Sequence, residues 1–168
     1  MKSKRIGRIG FAAVFLTFAA LFVQAQWTAP NSAAAAPPGS ALSIPQAELI
    51  QPEALNRLLQ KGGPQKPLVL QVGSHVLFAQ AHIPGAEYIG PSSLPSGLQA
   101  LEDRVASLSR SKFIVLYCGC CPWNHCPNIE PASAKLREMG FTNVKVLYLA
   151  DNFGANWVNK GYAVEQGR

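Results

Sequence analysis

Four cysteines, Cys118, Cys120, Cys121 and Cys126, lie within nine residues of one another in a chain of 168. The segment reads Tyr117-Cys118-Gly119-Cys120-Cys121-Pro122-Trp123-Asn124-His125-Cys126-Pro127-Asn128. Thiols crowded in this way are suited to three kinds of chemistry. One thiol can act as a nucleophile while its neighbours resolve or relay what it carries. A pair can cycle between dithiol and disulfide. Cys121 with Cys126, or Cys118 with Cys121, are the candidate couples, and a bond between adjacent Cys120 and Cys121 would be strained. Four cysteines admit three fully paired connectivities, and such a bond could also merely staple the loop. Thirdly, soft ligands close in sequence, with His125 among them, suggest a metal or cofactor site. However, Cys-x-Cys-Cys-x4-Cys is not a paired zinc spacing, and no Cys-x-x-Cys-His haem attachment is present. No metal and no cofactor is therefore expected.

The elements around the loop show how it must be held. Phe113–Tyr117 is the strongest strand signal in the chain, and Cys118 ends it. Ile129–Met139 has the spacing of a helix that buries Ile129, Ala132, Leu136 and Met139, with Gly140 as its stop. Asn128 is placed to cap that helix, and Glu130 complements its positive end. A thiol in a strand-to-helix turn faces backbone N–H groups and a helix N-terminus, which should lower its pKa. The same donors, from Gly119 to Asn128, would hold an anionic substrate.

Elsewhere the signals alternate. Ala47–Ile50 is a short apolar stretch. Pro52 suits a first helical turn, Leu55, Leu58 and Leu59 recur at helical spacing, and Gly62-Gly63 end the helix. Leu68–Val72 reads as a buried strand, Val76–Ala81 as a short helix and Ala86–Ile89 as a weak strand. Leu98–Leu108 is helical, Val144–Leu149 is another strand, and Asn152–Lys160 is a final short helix. Continuous apolar strands alternating with helices predict an α/β fold, a mostly parallel central sheet with helices on both faces. Ligands bind such sheets at the carboxyl ends of the strands, where the cysteine loop falls.

The chain carries 15 Lys+Arg against 9 Asp+Glu, a formal charge of +6, which invites a nucleic-acid reading. Four of the basic residues, Lys2, Lys4, Arg5 and Arg8, precede an apolar run from Ile9 to Val23 that exits through Val23-Gln24-Ala25. A basic start, a short apolar stretch and small residues at the exit describe a secretory signal peptide over residues 1–25. The run is short of the ~20 residues of a full span, although an uncleaved N-terminal membrane anchor is the alternative. Residues 26–43 form an Ala/Pro-rich linker, and the folded domain occupies 44–168. Without the leader's four charges, 11 basic side chains face 9 acidic ones, scattered rather than massed, so no nucleic-acid partner is expected. A periplasmic or secreted location follows, with no membrane attachment after cleavage.

Several features, taken in order, resemble the rhodanese family. His82-Ile83-Pro84-Gly85-Ala86 is similar to its signature before the third strand, and Ile114-Val115-Leu116-Tyr117-Cys118 to the strand carrying its catalytic cysteine. Gly140-Phe141 with Asn143-Val144 resembles the turn after the next helix, and Trp157 with Gly161-Tyr162-Ala163-Val164 resembles the closing segment. The resemblance spans the folded part. It implies a small rhodanese-like domain in which Cys118 takes sulfane sulfur from a thiosulfate-like anion, holds it as a persulfide and passes it to a thiophilic acceptor such as cyanide or a thiol. Gly119, Cys120, Cys121, Trp123, Asn124, His125 and Cys126 would then line the substrate site. There are departures. Gln71-Val72-Gly73 stands where the family often has Asp-x-Arg, Ala81 stands for a glycine, and the loop is enlarged and contains no Arg. The next Arg after Cys118 is Arg137, which also argues against a phosphatase on this fold.

A sulfurtransferase is thus the leading expectation. The alternatives are an exported thiol–disulfide redox protein, or a metal- or cofactor-binding module on an inactive rhodanese fold. Among the remaining residues, His82 is expected to fix a turn, His75 to be exposed, and His125 to favour a thiolate through its cation. Trp123 covers the loop or an interface, or stands exposed at the loop tip, and Trp157 packs in the core. Asp151 and Asn152 fall on the active-site side of the sheet.

Overall fold

The computed structural model describes residues 43–167; the expected signal peptide, most of the linker and the terminal Arg168 lie outside them. Five strands form one sheet: β1 (Leu49–Ile50), β2 (Leu68–Gln71), β3 (Glu87–Tyr88), β4 (Ile114–Tyr117) and β5 (Val144–Leu147). They lie in the order β1-β5-β4-β2-β3, and every pairing is parallel. The helices are α1 (Pro52–Lys61), α2 (His75–Gln80), α3 (Pro95–Val105), α4 (Ile129–Glu138) and α5 (Phe153–Asn156). Among the described residues no helix is long and apolar enough to cross a membrane.

The central strand β4 is buried along its whole length. Successive side chains of a strand point to opposite faces, so one strand feeds two cores. Ile114, Leu116 and Cys118 join Leu101 and Val105 of α3 and Ile129, Ala132 and Leu136 of α4 on one side. Val115 and Tyr117 join Leu55 of α1, Phe153 of α5 and Trp157 on the other. Both faces of the sheet are covered, as the apolar strand pattern requires.

Element boundaries shift from the sequence expectation for local reasons. α3 begins at Pro95 rather than Leu98, because proline needs no N–H partner in a first turn. The closing helix breaks after Asn156. Trp157 leaves helical geometry at φ −126°, ψ −62°, and a 3-10 turn, Val158–Lys160, follows. Its indole is only 1% exposed and its Nε1–H donates to the Ala163 carbonyl at 2.9 Å. Filling the core with that ring decides the local backbone. The apolar stretch Ala47–Ile50 supplies the short edge strand β1, whose Leu49 and Ile50 pair with Val146 and Leu147.

Candidate active site

Val72 N–H donates to the Tyr117 carbonyl at 2.9 Å, so the carboxyl ends of β2 and β4 stop level. Beyond this point the two chains stay joined by a side chain. Gln71 is 1% exposed; its Nε2 donates to the Cys118 carbonyl at 3.0 Å, and its Oε1 accepts from Gly73 N–H at 3.2 Å. Gly73 then passes directly against the cysteine. A Cβ at this position would lie 2.8 Å from Cys118 Sγ. The position that the family often gives to arginine here has no room for any side chain.

Cys118 continues the alternation of β4 and turns toward α4, where it is 4% exposed. Gly119, at φ +79°, reverses the chain. Its carbonyl accepts from Phe153 N–H at 3.1 Å, and a Cβ there would meet Phe153 Cβ at 2.8 Å. Glycine is needed for both the dihedral and the contact. The loop is then pinned by Trp123, whose N–H donates to the Ala150 carbonyl at 3.0 Å and whose ring sits 5.1 Å from that of Tyr148. Trp123 thus fastens the loop to the end of β5.

Asn128 stands at the N-terminus of α4, but its side chain caps nothing, contrary to expectation. Instead Nδ2 donates to Cys118 Sγ at 3.3 Å while Oδ1 accepts from Ser93 N–H at 3.0 Å. The contact to Ser93 anchors the amide, so its N–H₂ faces the sulfur. Sequence spacing offered the capping role because Asn commonly takes it. Its bond to a thiol ten positions earlier depends on how the loop folds back.

The sulfurs do not pair as the sequence suggested. Cys120 Sγ lies 3.1 Å from Cys118 Sγ and 3.2 Å from Cys121 Sγ, and all four thiols are free. Cys121 S–H points to the His125 carbonyl at 3.5 Å. Cys126 is buried and packs in the same core cluster as Cys118. The His125 ring Nδ1 is 2.7 Å from Asn124 Oδ1, and both residues are exposed.

Protonation follows from this geometry, and it corrects the expected low pKa at Cys118. The Cys118 thiol is pushed above its ordinary value, first by its hydrogen bond to Cys120; Cys126 opposes this and burial adds to it. Cys120 is pulled down to about 4, first by its hydrogen bond with Cys118 and then by Cys126, while burial and Cys121 oppose this. Cys126 is pushed strongly up by the bonds to Cys118 and Cys120 and by burial. Of these three thiols Cys120 is the one pulled toward the thiolate, first by its contact with Cys118. Only part of the expected cradle of N–H groups faces the sulfurs. Cys120 N–H supports Cys118 and Asn128 N–H supports Cys126. The N–H groups of Trp123, His125 and Cys126 are spent on the Ala150, Pro122 and Trp123 carbonyls.

A cavity of about 270 Å³ opens beside the loop, between α2 and α5. Gly119 and Cys120 line it, whereas Cys118, Cys121, Trp123, Asn124, His125 and Cys126 do not. Asn152 also reaches it while its Oδ1 accepts from Ala155 N–H at 2.9 Å. Another hollow, of about 220 Å³, lies at the amino ends of the strands and contains no thiol. His82 fixes its turn as expected. Its Nδ1 is 2.8 Å from the Phe78 carbonyl, its ring stacks on Phe78, and its backbone pairs with Glu165.

Two outcomes follow. Gly73→Ala should displace Cys118 and destabilise the fold by about 1–3 kcal/mol, the range for overpacking a buried site; urea unfolding measures this. Iodoacetamide should alkylate Cys120 across the neutral range. The rate should fall only as acidification passes about 4, where the thiolate is lost; peptide mass mapping at several pH values reads this out. A rate that instead climbs toward an ordinary thiol pKa would contradict the assigned charge.

The geometry can be set beside known proteins. The rhodanese-like domain model matches residues 51–149. Among solved structures, the Alr3790 protein from Anabaena sp. is 25% identical, with a TM-score of 0.53 over 70% of this chain and 92% of that one. The BH2092 protein from Bacillus halodurans is 26% identical, with a TM-score of 0.54 over 70% and 76%. Thiosulfate sulfurtransferase from Pseudomonas aeruginosa is 26% identical, with a TM-score of 0.52, and the match covers 73% of this chain but 20% of that protein. No curated protein sequence matches the chain. The parallel sheet, the thiol at the end of β4 and the family match over most of the described residues agree: this chain belongs to the rhodanese-like domain family.

Proposed function

We propose that the protein is a sulfurtransferase that carries sulfane sulfur as a persulfide on Cys118. One observation supports this above the others. Cys118 Sγ stands at the carboxyl end of the central strand, held by Asn128 Nδ2 at 3.3 Å and facing Cys120 Sγ at 3.1 Å. The first contact orients the nucleophile. The second places beside it the sulfur that is pulled toward the thiolate.

With a thiosulfate-like donor, Cys118 Sγ attacks the outer sulfur. The donor S–S bond breaks, sulfite leaves with its electron pair, and the thiol proton is lost to solvent. A thiol or cyanide then attacks the outer sulfur of the persulfide, and Cys118 leaves as a thiolate. A sulfur nucleophile suits both steps because it is also a good leaving group. A thiol of raised pKa is intrinsically the better nucleophile once deprotonated. Lacking a guanidinium, the loop must hold the anion through N–H groups such as those of Cys120 and Asn128.

Cys118→Ala should abolish thiosulfate:cyanide sulfur transfer by the purified protein. Retention of full transfer would refute the assignment. We further propose that residues 1–25 direct export, with the mature chain acting in the periplasm or outside the cell. N-terminal sequencing of protein recovered from the periplasmic fraction should then begin at Gln26; an intact Met1 in the membrane fraction would point to an anchor instead.

A further inference from the structure

Cys118 presents a difficulty for any carrier of sulfur: it is 4% exposed and does not line the cavity beside it. Cys120 is exposed, lines the cavity, and has its sulfur 3.1 Å from that of Cys118. We propose that Cys120 is a second sulfur-carrying residue, the port through which sulfur enters and leaves Cys118, and that the cavity seats an uncharged thiol as acceptor. This rests on the Cys118 persulfide proposed above and adds the route by which it is reached.

The exchange is a balanced displacement with no net oxidation. At the port the Cys120 thiolate attacks the outer sulfur of the thiosulfate-like donor, the donor S–S bond breaks, and sulfite leaves with the bonding pair, which gives Cys120–S–SH. The Cys118 thiolate attacks the outer sulfur, the Cys120 sulfur–sulfur bond breaks, and Cys120 departs as a thiolate with the bonding pair. Cys118 then holds the persulfide. In reverse, Cys120 thiolate attacks the outer sulfur of Cys118–S–SH and Cys118 departs. Finally, an acceptor thiolate in the cavity attacks the outer sulfur of Cys120–S–SH, regenerates Cys120 thiolate and leaves as an organic persulfide. The thiol of lower pKa leaves faster and the thiol of higher pKa attacks better. The protonation pattern therefore favours storage at the buried Cys118 and release from the exposed Cys120.

The lining suggests the class of acceptor. Leu77, Phe153 and Val158 present apolar surface, Gln80 and Asn152 supply polar side chains, and the wall holds no cation and no charge beyond that of the Cys120 thiolate. Leu77 and Val158 are each 37% exposed, so the rim is apolar as well. An organic thiol without formal charge fits such a wall better than an anion, whose desolvation would have no cation to offset it.

Wild-type, Cys118→Ala and Cys120→Ser proteins would be loaded with thiosulfate, discharged with 2-mercaptoethanol, and trapped with iodoacetamide for fragmentation mass spectrometry of the loop. The wild type is expected to carry sulfur on both Cys118 and Cys120. Cys120→Ser should load sulfur onto Cys118 alone, and both its loading and its discharge should be about tenfold slower or worse, since the port and its low-pKa leaving group are gone. The port is overturned if wild-type sulfur is found only on Cys118, even should Cys120→Ser be slow for structural reasons. Discharge of Cys120→Ser at the wild-type rate overturns it too. A Cys118–Cys120 disulfide with release of hydrosulfide would mean attack on the inner sulfur, and would also overturn the relay. If Cys118→Ala turns over normally with sulfur on Cys120 alone, the Cys118 carrier itself falls, a result distinct from all of these.

Discussion

Strand β4 is buried on both faces, and side chains on a strand must alternate. Those two constraints set the position of Cys118. Ile114 and Leu116 face α3 and α4, so residue 118 faces the same way and enters the core beside Cys126 and Ile129. Val115 and Tyr117 occupy the opposite core with Phe153 and Trp157. The thiol is therefore positioned by the packing of both layers, and the rest of the site is arranged around a sulfur that cannot easily move.

That placement gives meaning to residues that differ from the usual family pattern. Gln71 holds the Cys118 carbonyl across 47 positions of sequence, and Gly73 leaves the space into which the sulfur fits. An arginine at 73 would collide with the nucleophile. Its absence and the close approach of β2 to the thiol are two sides of one arrangement. Charge stabilisation passes instead to the sulfurs themselves, which hydrogen-bond to one another, and to the Asn128 amide.

Much of the architecture was legible from the chain. Continuous apolar runs at Leu68, Phe113 and Val144 announced buried parallel strands, and helical spacing at Leu55 and Ile129 announced covering helices. Boundaries were less legible wherever one large side chain decided them, as Trp157 does in breaking the last helix. Gln71 and Gly73 stood out only as departures from a pattern. No local signal says that an amide will reach a carbonyl on the neighbouring strand. Asn128 carried the opposite problem, a strong local signal for a cap that the tertiary fold put to other use.

The cysteine loop shows most clearly where one kind of information ends. Sequence alone determined that four thiols occupy a strand-to-helix turn at the carboxyl end of a parallel sheet, because apolar periodicity and residue spacing are local properties. Only the tertiary structure decided which thiol is stored in the core, which one meets the cavity, and which one bears the charge. Those answers depend on sulfur–sulfur distances, on burial and on the amides that face each sulfur. Each of these depends on contacts between segments far apart in the chain: Gln71 with Cys118, Ser93 with Asn128, Phe153 with Gly119. A thiol's acidity depends on its surroundings, and the fold assembles those surroundings from elsewhere in the chain.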